Sequence, residues 1–318
     1  MAAEESPTPV VSSQAPEIAT LRERQPTRRW RQWKFNDGSG CVLHGYSRSA
    51  DKTFFYIPEL QIGLDAGQCR GKRPENVFIT HTHADHATDA VYMCLRPEGM
   101  SCYLPACARA AVQAYIRAGV ELNNNAPFDE SLCEYELCGV RDGDKIESLR
   151  GKRKDFTVRV FDCIHVVPCV GFAFSQKRTK LKQEYAAKTG AEIGQLRRTG
   201  TEVTEEVEVP RFVYMGDTNV AVFAKQPWLF DFPIIIVECT FLYENPDIGV
   251  AARCERDGHI CWELGLEEVV MAHPDVTFVL IHFSLRYSEE DIFAYFRKRS
   301  ETRNLSNVVI FVGDMNDA

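Results

Sequence analysis

Apolar residues along this chain gather in short runs, separated by stretches in which they recur every three or four positions. Runs at 54–57, 77–80, 157–161, 212–215, 234–238, 278–281 and 308–311 are rich in Val, Ile and Phe and too short for helices, and they predict β-strands. The spacing at 106–119 and 289–299 predicts helices. The second of these opens with Ser288 as N-cap ahead of Glu289, Glu290 and Asp291, and closes on Arg297, Lys298 and Arg299. Acids in a first turn and bases in a last turn complement the helix dipole. Strands first, then helices, then strands and helices again predict an α/β fold whose sheets carry helices on their outer faces.

Residues 1–33 break this pattern, being rich in Pro, Ser, Thr and charge. They predict a disordered tail ahead of one domain spanning 34–318. The end of that tail interleaves Arg22, Arg24, Arg28, Arg29, Arg31 and Lys34 with Trp30 and Trp33. Charge and stacking there suit RNA, although a weakly docked, solvated tail is the simpler expectation.

Composition narrows the class. No apolar run spans a membrane, and the acids Glu4, Glu5, Glu17 and Glu23 argue against a signal or organellar leader. A soluble protein of the cytoplasm or nucleus is expected. The 12 cysteines are scattered without a C-x-x-C pair, which predicts reduced, mostly buried thiols rather than disulfides or structural zinc. The net charge of −8 gives no hint of nucleic acid, but a global sum does not exclude a local basic patch.

The strongest chemical signal is His81-Thr82-His83-Ala84-Asp85-His86, directly after the run at 77–80. Ligand-type side chains that dense cannot all face one way on a regular strand or helix, but a tight loop lets them converge on metal. Three further residues repeat the context of a ligand just past an apolar strand: His165, Asp217 in Gly216-Asp217, and His282. Together these are five histidines and two aspartates, which suit two zinc ions sharing one bridging carboxylate. His44 and His273 lie outside the pattern and are read as structural or surface residues.

HxHxDH, then a lone His, a Gly-Asp and a strand-end His resembles the ordered ligand pattern of the metallo-β-lactamase superfamily. Asp65 resembles that superfamily's bracing acid. The resemblance implies a four-layer αββα sandwich with the site at the sheet edge. It also implies one metal on His81, His83 and His165, and another on Asp85, His86 and His282, with Asp217 bridging.

Within the superfamily the chain resembles short tRNase Z, especially the plant type. Glu238-Cys239-Thr240-Phe241 and Gly258-His259 look like that family's Glu-x-Thr-Phe and Gly-His motifs, and His282-Phe283-Ser284-Leu285-Arg286-Tyr287 like the stretch around its last ligand. The resemblance implies a homodimer acting on precursor tRNA, with zinc as metal, manganese and iron remaining open. One departure is Ala87-Thr88-Asp89, where the family usually carries Gly-Leu-Pro.

A segment at about 175–210 sits where the family carries an inserted RNA-binding arm. Between Ser175 and Thr199 the bases are Lys177, Arg178, Lys180, Lys182, Lys188, Arg197 and Arg198, against Glu184 and Glu192. Lys177, Arg178, Lys180 and Lys182 are the candidates for phosphate contact. In the mechanism this implies, Asp85 orients a metal-activated water and takes its proton. His259, oriented by Glu238, protonates the departing 3′-oxygen. The alternatives are a small-molecule phosphodiesterase or thioester hydrolase of the same fold, and an RNA-binding protein that has lost catalysis.

Overall fold

The computed structural model describes residues 16–18, 20–21, 30–95, 98–151, 153–244 and 248–313. Two sheets face one another. The first has the strand order Glu17–Ile18, Val308–Ile310, Thr277–Ile281, Ile234–Glu238, Thr204–Tyr214, Val170–Leu181, Phe156–Asp162, Lys145–Ile146. The second runs Thr20–Leu21, Arg31–Lys34, Val42–Ser49, Lys52–Ile57, Ile62–Leu64, Asn76–Phe78, Met100–Pro105, Tyr135–Val140, and the short strand Phe283–Ser284 adds to Val42–Ser49.

Helices cover the outer faces, giving the four layers αββα. The layers explain why the run at 234–237 is apolar throughout. Ile234–Glu238 is fully buried and has parallel neighbours on both sides. Its Ile234 and Ile236 enter the core between the sheets with Phe55, Phe78 and Phe172. Ile235 and Val237 point the other way, against Leu266 and Val270 of the helical layer and Ile292 and Phe296 of helix Glu289–Ser300. A strand covered on both faces reads as a continuous apolar run rather than an alternation. On the second sheet the outer layer is Ala90–Cys94 and Arg109–Asn124, whose Met93, Val112 and Ile116 pack on Val77, Ile79 and Leu104.

The predicted helix start at Ser288 holds. Its hydroxyl accepts from the Asp291 N–H at 3.0 Å, and the Asp291 carboxylate accepts from the Ser288 N–H at 2.9 Å. All the cysteines are free, and most are buried. Among the described residues no helix is long and apolar enough to cross a membrane.

Of the expected tail over 1–33, the described residues 16–18, 20–21 and 30–33 are instead joined to the sheets, and the rest lies outside the described residues. Glu17–Ile18 pairs with Val308–Ile310 in one sheet, while Thr20–Leu21 and Arg31–Lys34 pair in the other. Trp30 and Trp33 are buried, Trp30 on Phe54 and Trp33 on Phe35. Arg31 is also buried, donating to the Val312 carbonyl and pairing with Glu289. The alternation of Arg31-Gln32-Trp33-Lys34 is a half-buried strand whose polar inward residue disguises it. These tryptophans are therefore core, not an RNA-stacking surface. Arg22, Arg24, Arg28 and Arg29 lie outside the described residues.

The segment at 175–210 is a two-stranded extension closed by helix Gly190–Arg198, which Thr189 and Glu192 cap reciprocally. Its register changes the charge reading. Glu208 stands opposite Lys177, Glu206 opposite Thr179 and Glu205 opposite Lys180. Opposite charges on facing strand positions attract, so the return strand offsets much of the positive charge of the outgoing one. The exposed bases beyond this ladder are Lys188, Arg197 and Arg198 at the tip.

Candidate metal centre

The site lies where strands end. His81 follows Asn76–Phe78, His165 follows Phe156–Asp162, Asp217 follows Thr204–Tyr214, Glu238 closes Ile234–Glu238 and His282 follows Thr277–Ile281. These strand ends share one edge of the sandwich, the usual place for a site in such sheets. Rigid buried strands thus deliver side chains from five separate parts of the chain to one spot.

The seven sequence candidates converge as two donor sets, one of His81, His83, His165 and Asp217, the other of Asp85, His86 and His282. In the first set His81 Nε2 and His165 Nε2 stand 3.1 and 3.3 Å from His83 Nδ1, and 3.7 and 3.8 Å from Asp217 Oδ2. In the second, His86 Nε2 and His282 Nε2 stand 3.2 Å apart, 3.6 and 3.5 Å from Asp85 Oδ2, and both 3.5 Å from Asp217 Oδ1. Asp217 thus turns one oxygen to each set.

These spacings fit a metal. Donors about 2.0–2.2 Å from a tetrahedral ion stand roughly 3.3–3.6 Å from one another. Four of the five outward histidine nitrogens fit too, because each of these is held by the protein. His86 Nδ1 meets Asp65 Oδ2 at 2.8 Å, His165 Nδ1 donates to the Gly258 carbonyl at 3.0 Å, and His81 Nδ1 and His282 Nδ1 each meet a threonine hydroxyl, Thr80 or Thr240, at 3.1 Å. Such partners fix the ring orientation and leave the inward nitrogen to bind.

The charged groups of the site act strongly on one another. Burial would lower His86, but the Asp217 and Asp65 carboxylates outweigh it and raise its pKa to about 10. Burial and the neighbouring His86 hold His81 well below the usual histidine range. Burial would raise Asp85 and Asp217, yet surrounding histidines, His282 first, keep both below the usual carboxylate range. The carboxylates are therefore ionised, as ligands must be.

Asp65 takes the bracing position that its sequence context suggests. It accepts from the Thr80 N–H at 2.8 Å, from the Thr80 and Tyr214 hydroxyls and from His86, tying the HxHxDH loop to the sheet. The sequence reading missed Tyr214 and Thr240. Tyr214 lies in a strand, where nothing in the local pattern separates it from packing residues. Thr240 lies in the Glu-x-Thr-Phe stretch, which is the one signal that singles it out.

His259 sits against both sets, its ring centroid 5.2 Å from that of His165 and 5.7 Å from that of His282. Its Nδ1 donates to Glu238 Oε1 at 2.9 Å, which leaves Nε2 as the nitrogen able to act. Burial lowers its pKa, but Glu238 outweighs burial and raises it to about 9, so the ring is protonated at neutral pH. Lys177, Arg178, Lys180 and Lys182 lie on the arm and share none of these contacts. His273 stacks on Phe230 at 3.5 Å, and His44 lies in a strand opposite Tyr56. At the departure from Gly-Leu-Pro, Ala87 and Thr88 line an apolar groove with Tyr115, whose hydroxyl donates to the Thr88 carbonyl at 2.7 Å.

The chain is similar to two Arabidopsis thaliana proteins. One is tRNase Z TRZ1, at 28% identity over 80% of this chain and 89% of the relative. The other is chloroplastic tRNase Z TRZ2, at 28% over 79% and 70%. A nuclear ribonuclease Z of Triticum aestivum is 29% identical over 53% of this chain and 94% of its own length. Among solved structures, the metallo-β-lactamase fold protein YhfI from Bacillus subtilis superposes with a TM-score of 0.50 over 95% of this chain and 97% of its own, at 14% identity. The fold is therefore the metallo-β-lactamase fold. No family model matches the chain.

Proposed function

We infer that this chain, a metallo-β-lactamase-fold relative of tRNase Z, is a metal-dependent endoribonuclease. It removes the 3′ trailer from precursor tRNA and leaves a 3′-hydroxyl on the tRNA. The observation that carries the reading is the placement of His259, held by Glu238 against both donor sets. A ribose 3′-oxygen is a poor leaving group and needs a proton, whereas lactone or thioester cleavage does not call for this pair.

His81, His83 and His165 would hold one ion and Asp85, His86 and His282 a second, with Asp217 shared. Zinc suits these donors, and so do manganese and iron. When bound, two such ions supply Lewis acidity at the phosphoryl group and lower the pKa of water toward neutrality. Asp85, ionised and turned into the site, accepts the proton of the attacking water. His259 Nε2 gives its proton to the departing 3′-oxygen as the P–O bond breaks, and Glu238 stabilises the imidazolium until then. The products are a tRNA with a 3′-hydroxyl and a 5′-phosphorylated trailer.

Lys177, Arg178, Lys180 and Lys182 would meet the tRNA backbone, joined by Arg197 and Arg198 at the tip. The reading carries with it a homodimer, in which an arm reaches RNA cut by the partner subunit. The test is incubation of the metal-loaded protein with a 3′-extended precursor tRNA and mapping of the cut. Cleavage 3′ to the discriminator base supports the reading. An intact precursor beside hydrolysis of a small phosphodiester or thioester overturns it.

A further inference from the structure

His282 is the point at which the chain changes sheets. Thr277–Ile281 belongs to the first sheet, Phe283–Ser284 to the second, and His282 between them has φ +62°. That left-handed conformation is uncommon for a residue with a side chain and persists only where the surroundings impose it. On the incoming side the parallel ladder to Ile234–Glu238 imposes it, through pairing that runs to Glu238↔Ile281. On the outgoing side there are only two paired residues, Phe283↔Arg48 and Ser284↔Ser49.

Arg48 makes that short pairing firm. It is 2% exposed. Its Nε donates to the Phe283 carbonyl at 3.0 Å, Nη1 to the Gly313 carbonyl at 3.1 Å, and Nη2 to the Ser284 carbonyl at 2.9 Å and to that of Tyr287. One rigid guanidinium therefore gathers three carbonyls of the loop that follows His282 and a fourth near the end of the described chain. The same strand end also reaches another ligand. Two residues on, the Ala50 N–H donates to Asp85 Oδ2 at 3.0 Å. Both contacts belong to one half of the centre. The outward bonds of the other half run elsewhere, from His81 to Thr80 and from His165 to Gly258.

We propose that Arg48 is a positioning residue that sets the affinity of the Asp85–His86–His282 half-site selectively, leaving the His81–His83–His165 half-site largely untouched. The proposal rests on the two-ion reading above. Arg48 acts through the backbone at Phe283 and Ser284 and touches neither ion nor substrate. Groups that orient ligands in this way typically change metal affinity by about 10–100-fold.

The experiment is titration of the metal-free full chain with cobalt(II), followed by absorption, and with zinc in competition with a chromophoric chelator. Wild type, Arg48→Lys and Arg48→Met are compared. Wild type takes up two ions. In Arg48→Met one of the two steps is weakened about 10–100-fold and the other is unchanged. Arg48→Lys keeps the charge but loses the fork, and falls between. Excess metal restores RNA cleavage to the lysine variant, which a merely unfolded protein would not show. Circular dichroism checks folding, and if the methionine variant does not fold, the lysine variant decides. Equal weakening of both steps, or titrations identical to wild type, overturns the proposal. A wild type that takes up a single ion overturns the two-ion reading instead, so the two failures are distinguishable.

Discussion

The carboxylate of Glu238 stands 2.9 Å from Nδ1 of His259, 21 residues further along the chain, at the edge where both donor sets meet. Burial disfavours the charged ring, but this carboxylate outweighs it and the pKa rises to about 9. The protonated ring is the form that assists the leaving group. RNA cleavage should therefore fall on the alkaline side, as the ring loses its proton. Glu238→Gln removes the opposing charge, so the alkaline limb should move down by about 1–3 units. A rate profile from about pH 6 to 10 reads this, and an unmoved limb would exclude His259 as the proton donor.

Removal of the ring separates donation from scaffolding. His259→Ala should retain both ions, because His259 lies outside the two donor sets assigned to them, and lose about 10²–10⁴-fold in turnover on RNA. A nitrophenyl phosphodiester leaves without a proton and should lose far less. Equal losses on both substrates would show that His259 holds the centre together instead.

Asp217 and His83 should differ in metal content. Asp217 turns Oδ2 toward His81 and Oδ1 toward His86, so Asp217→Ala removes a donor from both sets and should leave the purified chain nearly metal-free. His83 belongs to one set only, and His83→Ala should retain about one ion. Elemental analysis decides, and equal metal contents in the two variants would sink the shared-carboxylate arrangement. Both variants should lose hydrolysis.

The arm should show itself in salt dependence. Replacing Lys177, Arg178, Lys180 and Lys182 with Ala should weaken binding of precursor tRNA and make its dependence on salt shallower. Glu208 and Glu205 stand opposite two of these bases, so the slope should change by about 1–2 units rather than by the larger amount expected of four free charges. Arg197→Ala with Arg198→Ala at the tip should have a comparable effect. A small phosphodiester never reaches the arm and should be cleaved at the wild-type rate. Identical salt slopes for wild type and both variants would remove the arm from RNA binding.

Local sequence carried a large part of this protein. The runs at 234–237 and 278–281 are apolar throughout because parallel strands covered on both faces bury every side chain, so their strands could be read directly. HxHxDH is dense enough to announce a metal loop, and Asp217 and His282 announce themselves by following such runs. What depended on long-range pairing could not be read. Trp30 and Trp33 lie among charges and look like a tail until Arg31–Lys34 pairs with Val42–Ser49 and buries them. The arm looks basic until its return strand places Glu208 and Glu205 across from Lys177 and Lys180. Arg48 looks like an ordinary strand residue until Phe283, 235 positions away, lies beside it. Which residues are candidate ligands follows from residue type and local context, and the sequence by itself picked out the seven that the structure brings together. Charge balance, burial and the support behind each ligand depend on which distant strand lies alongside, and only the tertiary structure decided them.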